Sequence, residues 1–145
     1  MTDWASQKSG LKRAERKLAE LPESETKHGA AVPWPYADRS AYKGKHTNQE
    51  INARIKKAPI VRVPLKHLHA IQHSVKPERV DQYLRDPGQK PLGAKHSKAG
   101  TPIDHPIVIK EKGRLYIHDG HHRLTADYLQ GKRDADARLI DFDAS

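Results

Sequence analysis

The sequence predicts an α/β (α+β) domain, a compact mixed sheet with helices, carried behind a basic amino-terminal extension. Three observations predict it. Short apolar runs at 60–63, 107–109 and 115–117 are of strand length and sit among proline, glycine and charged residues. Around and between them, 76–84 and 120–129 place apolar side chains three and four residues apart, so strands alternate with helices. With 145 residues the chain has room for one domain and a modest core.

The first element is a helix within Gly10–Glu23, where Leu11, Ala14, Leu18 and Leu21 recur on one face among charged residues and Pro22 ends the run. A helix this short is marginal alone, so it docks on its own domain or on a partner through Leu11, Leu18 and Leu21. From Glu23 to about Ala58 the apolar pattern weakens. Pro33-Trp34-Pro35-Tyr36 reads as an extended aromatic anchor, and a polar helix is expected from Asn48 to Lys57. Residues 1–58 are therefore read as an extension and 59–145 as the domain.

Order returns at Pro59. Ile60, Val61 and Val63 form a strand, and Leu65, Leu68 and Ile71 lead to a helix from Lys76 to Leu84 with Val80, Tyr83 and Leu84 on one face. Pro77 suits its first turn, where the missing amide proton has no intrahelical partner to lose. Asp86 to Pro106 is rich in proline and glycine and reads as a long exposed loop. Ile107–Ile109 and Leu115–Ile117 follow as two strands joined by a tight loop over Lys110–Arg114. A helix from Gly120 to Leu129 exits at Gly131, and Ala137 to Phe142 is the final strand.

Lys and Arg number 27 against 18 Asp and Glu, a formal charge of +9. That balance favours polyanionic partners without specifying a base sequence. There is no cysteine, which excludes disulfides, thiolate nucleophiles and cysteine-ligated zinc. The amino terminus has no basic-then-apolar signal pattern and no stretch is long enough to span a bilayer. The expectation is a cytoplasmic protein, nucleoid- or virion-associated, with no membrane partner.

The chemistry concentrates in His118-Asp119-Gly120-His121-His122-Arg123, at a strand-to-helix junction. Asp119 is expected at the N-cap, accepting the backbone amides of His121 or His122, with Gly120 permitting a tight passage. The remaining amides, the positive helix end and the two-pronged Arg123 guanidinium then form an anion site, for which phosphate is the best-matched ligand. His121 and His122 are able to donate hydrogen bonds or, near their ordinary pKa, to transfer a proton. Neighbouring histidines on a helix point in different directions and no His-Glu-x-x-His pattern is present, so no transition-metal site is predicted.

Pro106-Ile107-Val108-Ile109 followed by Tyr116-Ile117-His118-Asp119-Gly120-His121-His122-Arg123-Leu124-Thr125-Ala126 resembles the ParB/sulfiredoxin superfamily, with its Gly-x-x-Arg-x-x-Ala phosphate turn. The likeness extends upstream to Val63-Pro64-Leu65 and Lys76-Pro77-Glu78-Arg79-Val80, and is greatest to the ParB-like, nuclease-type domains often encoded by phages or plasmids. Partitioning members continue into a helix-turn-helix DNA reader, whereas this sequence ends at Ser145, so a complete partitioning clamp is not expected. In sulfiredoxins a cysteine occupies the position of His121, so reductase chemistry is not expected either. Free-serine kinases of this fold carry a related Asp-Gly-His-His-Arg turn.

The resemblance implies phosphate contacts from Gly120, His121, His122 and Arg123, with Arg79 and Glu78 entering from the first helix of the domain. His122 or His121 would protonate the leaving oxygen and Glu78 would orient the attacking water. The expected function is phosphate binding on a nucleotide or nucleic acid, by a nuclease or nucleoside-phosphate hydrolase using a nucleotide and Mg2+. One alternative is an ATP- or ADP-dependent small-molecule kinase. Another is a non-enzymatic phage or mobile-element structural or inhibitory protein, held to its partner through Leu11, Leu18, Leu21, Trp34 and Tyr36.

Overall fold

The computed structural model describes residues 4–23, 29–86 and 105–144. In chain order the elements are α1 (Trp4–Glu20), β1 (Ala30–Ala31), α2 (Ser40–Lys43), α3 (Asn48–Lys57), β2 (Ile60–Pro64) and, after a single 3-10 turn, β3 (Leu68–Ala70). They continue with β4 (Ser74–Val75), α4 (Pro77–Arg85), β5 (Ile107–Glu111), β6 (Arg114–Asp119), α5 (His121–Leu129) and β7 (Asp134–Asp141). Five strands form a mixed sheet in the order β2-β7-β5-β6-β3, and β1 and β4 make a separate two-stranded ribbon. β7 and β5 run parallel, as do β6 and β3, while β2–β7 and β5–β6 are antiparallel.

The central strand β5 reads as an unbroken apolar run because both of its faces are covered. Ile107 and Ile109 pack on one side with Tyr116 and Ile140, and Val108 packs on the other with Ile117, Ala135 and Ala137. Leu124 of α5 and the indole of Trp34 cover the Val108 side, the Trp34 Nε1–H donating to the Leu65 carbonyl at 2.8 Å. Tyr42 of α2 and Ile51 and Ile55 of α3 cover the other. Outside α5 lies a helical layer in which Ala14 and Leu18 of α1 meet Val80, Tyr83 and Leu84 of α4 and Ala126 and Leu129 of α5. The result is a mixed α/β domain with helices on both faces of its sheet.

Between β5 and β6 the chain reverses through Lys112 and Gly113, at φ 51° and 76°. Two successive left-handed residues give the turn a twist that matches its flanking strands. The Asp143 carboxylate accepts both of their amides, each at 2.7 Å.

Residues before 59, expected as an extension, supply cover to both sheet faces. Their patterning looked weak because the cover is made by few side chains widely spaced, Trp34, Tyr42, Ile51 and Ile55, each buried. Leu18 and Trp34, expected as partner anchors, are likewise enclosed in the domain's own core, and Leu11 and Leu21 pack half-buried against the helical layer. Tyr36 is 46% exposed, its ring stacked on His73 at 3.7 Å between centroids, and its backbone bridges to Ala70 beside β3.

The helix over Asn48–Lys57 lies where the spacing predicts it, with Thr47 accepting the Glu50 amide as its cap. α1 begins ahead of Gly10, and α2, β1, β3 and β4 are too short to display a period. β7 begins at Asp134 rather than Ala137, because Ala135 is small enough to lie under the core between two acidic residues and gives no apolar signal. Most of the loop expected over 86–106 lies outside the described residues.

Because Ile51 and Ile55 roof one face of β5, truncating either to alanine should destabilise the fold by about 2–4 kcal/mol, read as a lower urea midpoint. A chain beginning at residue 59 should lose its cooperative unfolding transition altogether.

Candidate functional site

β6 ends at Asp119 and α5 begins at His121, so the whole change of direction falls on Gly120. Its φ of 97° and ψ of 24° lie in the left-handed region. A Cβ at this position would also stand 2.7 Å from the Cβ of Pro106 and 2.9 Å from its Cα. Backbone conformation and close approach therefore both demand glycine.

This geometry corrects the cap expected at Asp119. The helix cap is Gly120, and Asp119, retained at the end of β6, accepts the Gly120 amide at 2.9 Å instead of an amide of His121 or His122. No side chain caps α5. Its first-turn amides lack intrahelical acceptors by construction, and His121, His122 and Arg123 border a cleft of about 320 Å³.

Arg79 and Tyr83, one turn apart on α4, form the facing wall of this cleft. Glu78 does not line it. With Asp81 and Arg85, at three- and four-residue spacings, it borders a different groove, beside α1. The helix period thus separates Arg79 from Glu78: the expected general base lies outside the cleft lining, although its charge acts on His122. Among the described residues lining the cleft, Asp119 is the only acid. The protein packed around it raises its pKa, and the Gly120 amide pulls the other way.

The three histidines of the motif diverge. His121 is buried, and its Nε2 accepts the Ile71 amide at 3.1 Å. His122 Nε2 accepts the Lys76 amide at 3.0 Å, and His118 Nδ1 faces the Tyr42 hydroxyl at 2.9 Å. Burial pushes the Tyr42 pKa up to about 12, so the phenol keeps its proton at neutral pH.

Burial is also the main cause of low histidine pKa values: about 4 for His118, about 3 for His121 and about 4 for His122. Lys43 and Arg39 reinforce the shift at His118, His122 and Arg39 at His121, and Arg79 and Lys76 at His122, where Glu78 opposes it.

All three rings are therefore neutral at neutral pH, and two of them hold backbone amides. His121 ties the start of α5 to the segment after β3, and His122 ties it to the residue preceding α4. The proton-donor role expected of His122 and His121 is corrected accordingly: each Nε2 is an acceptor already engaged, with no imidazolium proton to give.

Arg79, Gly120, His122 and Arg123, expected in the site, do border one cleft. Sequence reasoning missed Tyr42, which buttresses His118 from 76 residues away, and Tyr83. Tyr83 stood four residues after Arg79, a spacing that could have placed both on one face. For Tyr42 no local signal existed. No family model matches the chain, and no curated protein matches it.

A histidine whose pKa drops on folding binds fewer protons in the native state than in the unfolded one. Its contribution to stability is complete above the unfolded value of about 6.5 and is lost as pH falls toward the folded values. The melting temperature should therefore fall between pH 6.5 and 4, and His121→Gln should flatten that slope when melts are compared across the range. Gly120→Ala should cost about 1–3 kcal/mol in urea unfolding, because the left-handed residue must stay while its new methyl meets Pro106.

Proposed function

We propose that the chain binds a phosphate-bearing ligand, a nucleotide or a nucleic-acid phosphate, at the start of α5. One observation carries this reading: an N-terminus with no side-chain cap opens onto a cleft walled by two arginines, Arg79 and Arg123. Helix amides and the positive helix end favour an anion, and a guanidinium matches phosphate with paired hydrogen bonds.

The strand-turn-helix order and the Gly-x-x-Arg-x-x-Ala spacing suit the ParB/sulfiredoxin-like assignment, which we retain as part of the proposal. Phosphate binding is supported further than hydrolysis, because the neutral histidines leave no proton donor among the residues first considered for that role. Magnesium carried by a nucleotide needs only one or two protein carboxylates beside the phosphates, and Asp119 is of the right type.

A second reading, phosphoryl transfer from ATP or ADP to a small hydroxyl compound, draws on the same carboxylate. A general base works best with a raised pKa, and burial raises that of Asp119.

Calorimetric titration with inorganic phosphate and with ADP at low ionic strength should detect binding, and Arg123→Ala or Arg79→Ala should weaken it about tenfold or more. Affinity unchanged in both variants would remove the proposal. Asp119→Asn should keep phosphate affinity and, in an assay with magnesium, ATP and a hydroxyl acceptor, abolish turnover if the second reading holds.

A further inference from the structure

We infer that the outer face of α1 is a docking surface for the phosphate backbone of a nucleic acid. Its inner face is fully engaged, with Ala14 and Leu18 buried against α4 and α5 and Leu11 half-buried beside them. The opposite face presents Lys12, Arg13, Arg16 and Lys17, all exposed. At 100° per residue these four cations occupy an arc of about 140°, centred roughly opposite the buried side chains.

Glu20, also exposed, lies within the same arc, and two further details keep the balance there at four cations to one acid. Glu15, the acid within the run, is drawn to α4, where Arg85 binds it at 2.8 Å while holding Asp81 at the same distance. Lys12, Arg13, Arg16 and Lys17 form no ion pair with a carboxylate among the described residues. Four like charges held together on one rigid helix repel one another and are stabilised by a polyanion that displaces their counterions.

The same geometry selects the kind of polyanion. An amphipathic helix binds a lipid surface by inserting its apolar face, and here that face is the core contact with α4 and α5. The pairs 12/13 and 16/17 stand four residues apart, about 6 Å along the helix axis, a step comparable to that between neighbouring phosphates on a strand. Phosphate-directed binding of this type positions a nucleic acid without reading its bases. The surface is separate from the cleft at α5, so the inference does not depend on what that cleft binds.

Fluorescence anisotropy with a labelled random-sequence duplex, measured from 50 to 200 mM salt, tests it. The quadruple variant Lys12→Gln, Arg13→Gln, Arg16→Gln, Lys17→Gln should bind at least tenfold more weakly at 50 mM. It should also lower the slope of log affinity against log salt by about 3.6, roughly 0.9 for each of the phosphates that the variant leaves unneutralised. Glutamine sustains helix, so its circular dichroism should match wild type; the single variant Arg16→Glu gives an independent reading if it does not.

Lys56→Gln with Lys57→Gln should leave the slope unchanged. An equal loss from the Lys56/Lys57 variant would make the binding diffuse and overturn the inference. So would unchanged affinity in the quadruple variant, no duplex binding by wild type, or binding confined to vesicles containing phosphatidylserine.

Discussion

The arrangement around the cleft depends on one left-handed residue pressed against a proline. Gly120 turns the chain from β6 into α5 within a single position, and Pro106, which leads into β5, occupies the space where any side chain would go. Two neighbouring strands thereby fix where the helix starts and how it is aimed. His121 and His122 then brace that start against the segment after β3 and the residue before α4. Four separate parts of the chain meet there, and backbone groups hold each of the two imidazole Nε2 atoms in place.

The brace works because these rings are kept neutral. A protonated imidazole could not accept an amide hydrogen at Nε2, so the burial that lowers the histidine pKa values is the same condition that lets them act as struts. The concentration of histidines in the turn therefore has a positioning explanation complete in itself. Arg79 and Arg123 border the cleft that this braced turn helps to form.

Much of the fold was legible where burial follows a local period. The helices over 48–57 and 77–85 and the hairpin of β5 and β6 announced themselves through spacing, a proline in a first turn and a tight reversal. What stayed hidden was long-range. The roof over Ile107 and Ile109 is built from Tyr42, Ile51 and Ile55, whose neighbours are mostly polar, so their segment resembled a solvated arm. In the site, the residue types and their strand-to-helix setting were readable from six adjacent letters, but which way each ring pointed was not. That depended on amides at Ile71 and Lys76, about fifty residues away, and on which face of α4 carried Arg79 rather than Glu78.

The bridge between Tyr36 and Ala70 has a consequence for how copies of this chain meet. Outermost strands offer unsatisfied amides and carbonyls to any passing strand. At β3 that offer is already taken: the Ala70 amide donates to Pro35 at 2.9 Å, and the Ala37 amide donates to the Ala70 carbonyl at 2.7 Å. At the opposite margin, β2 carries a solvent-facing arginine at position 62 and closes on Pro64, which has no amide hydrogen to give. The stretch that delivers Trp34 to the core thus also insulates one side of the sheet, while charge and proline blunt the other against edge-to-edge aggregation.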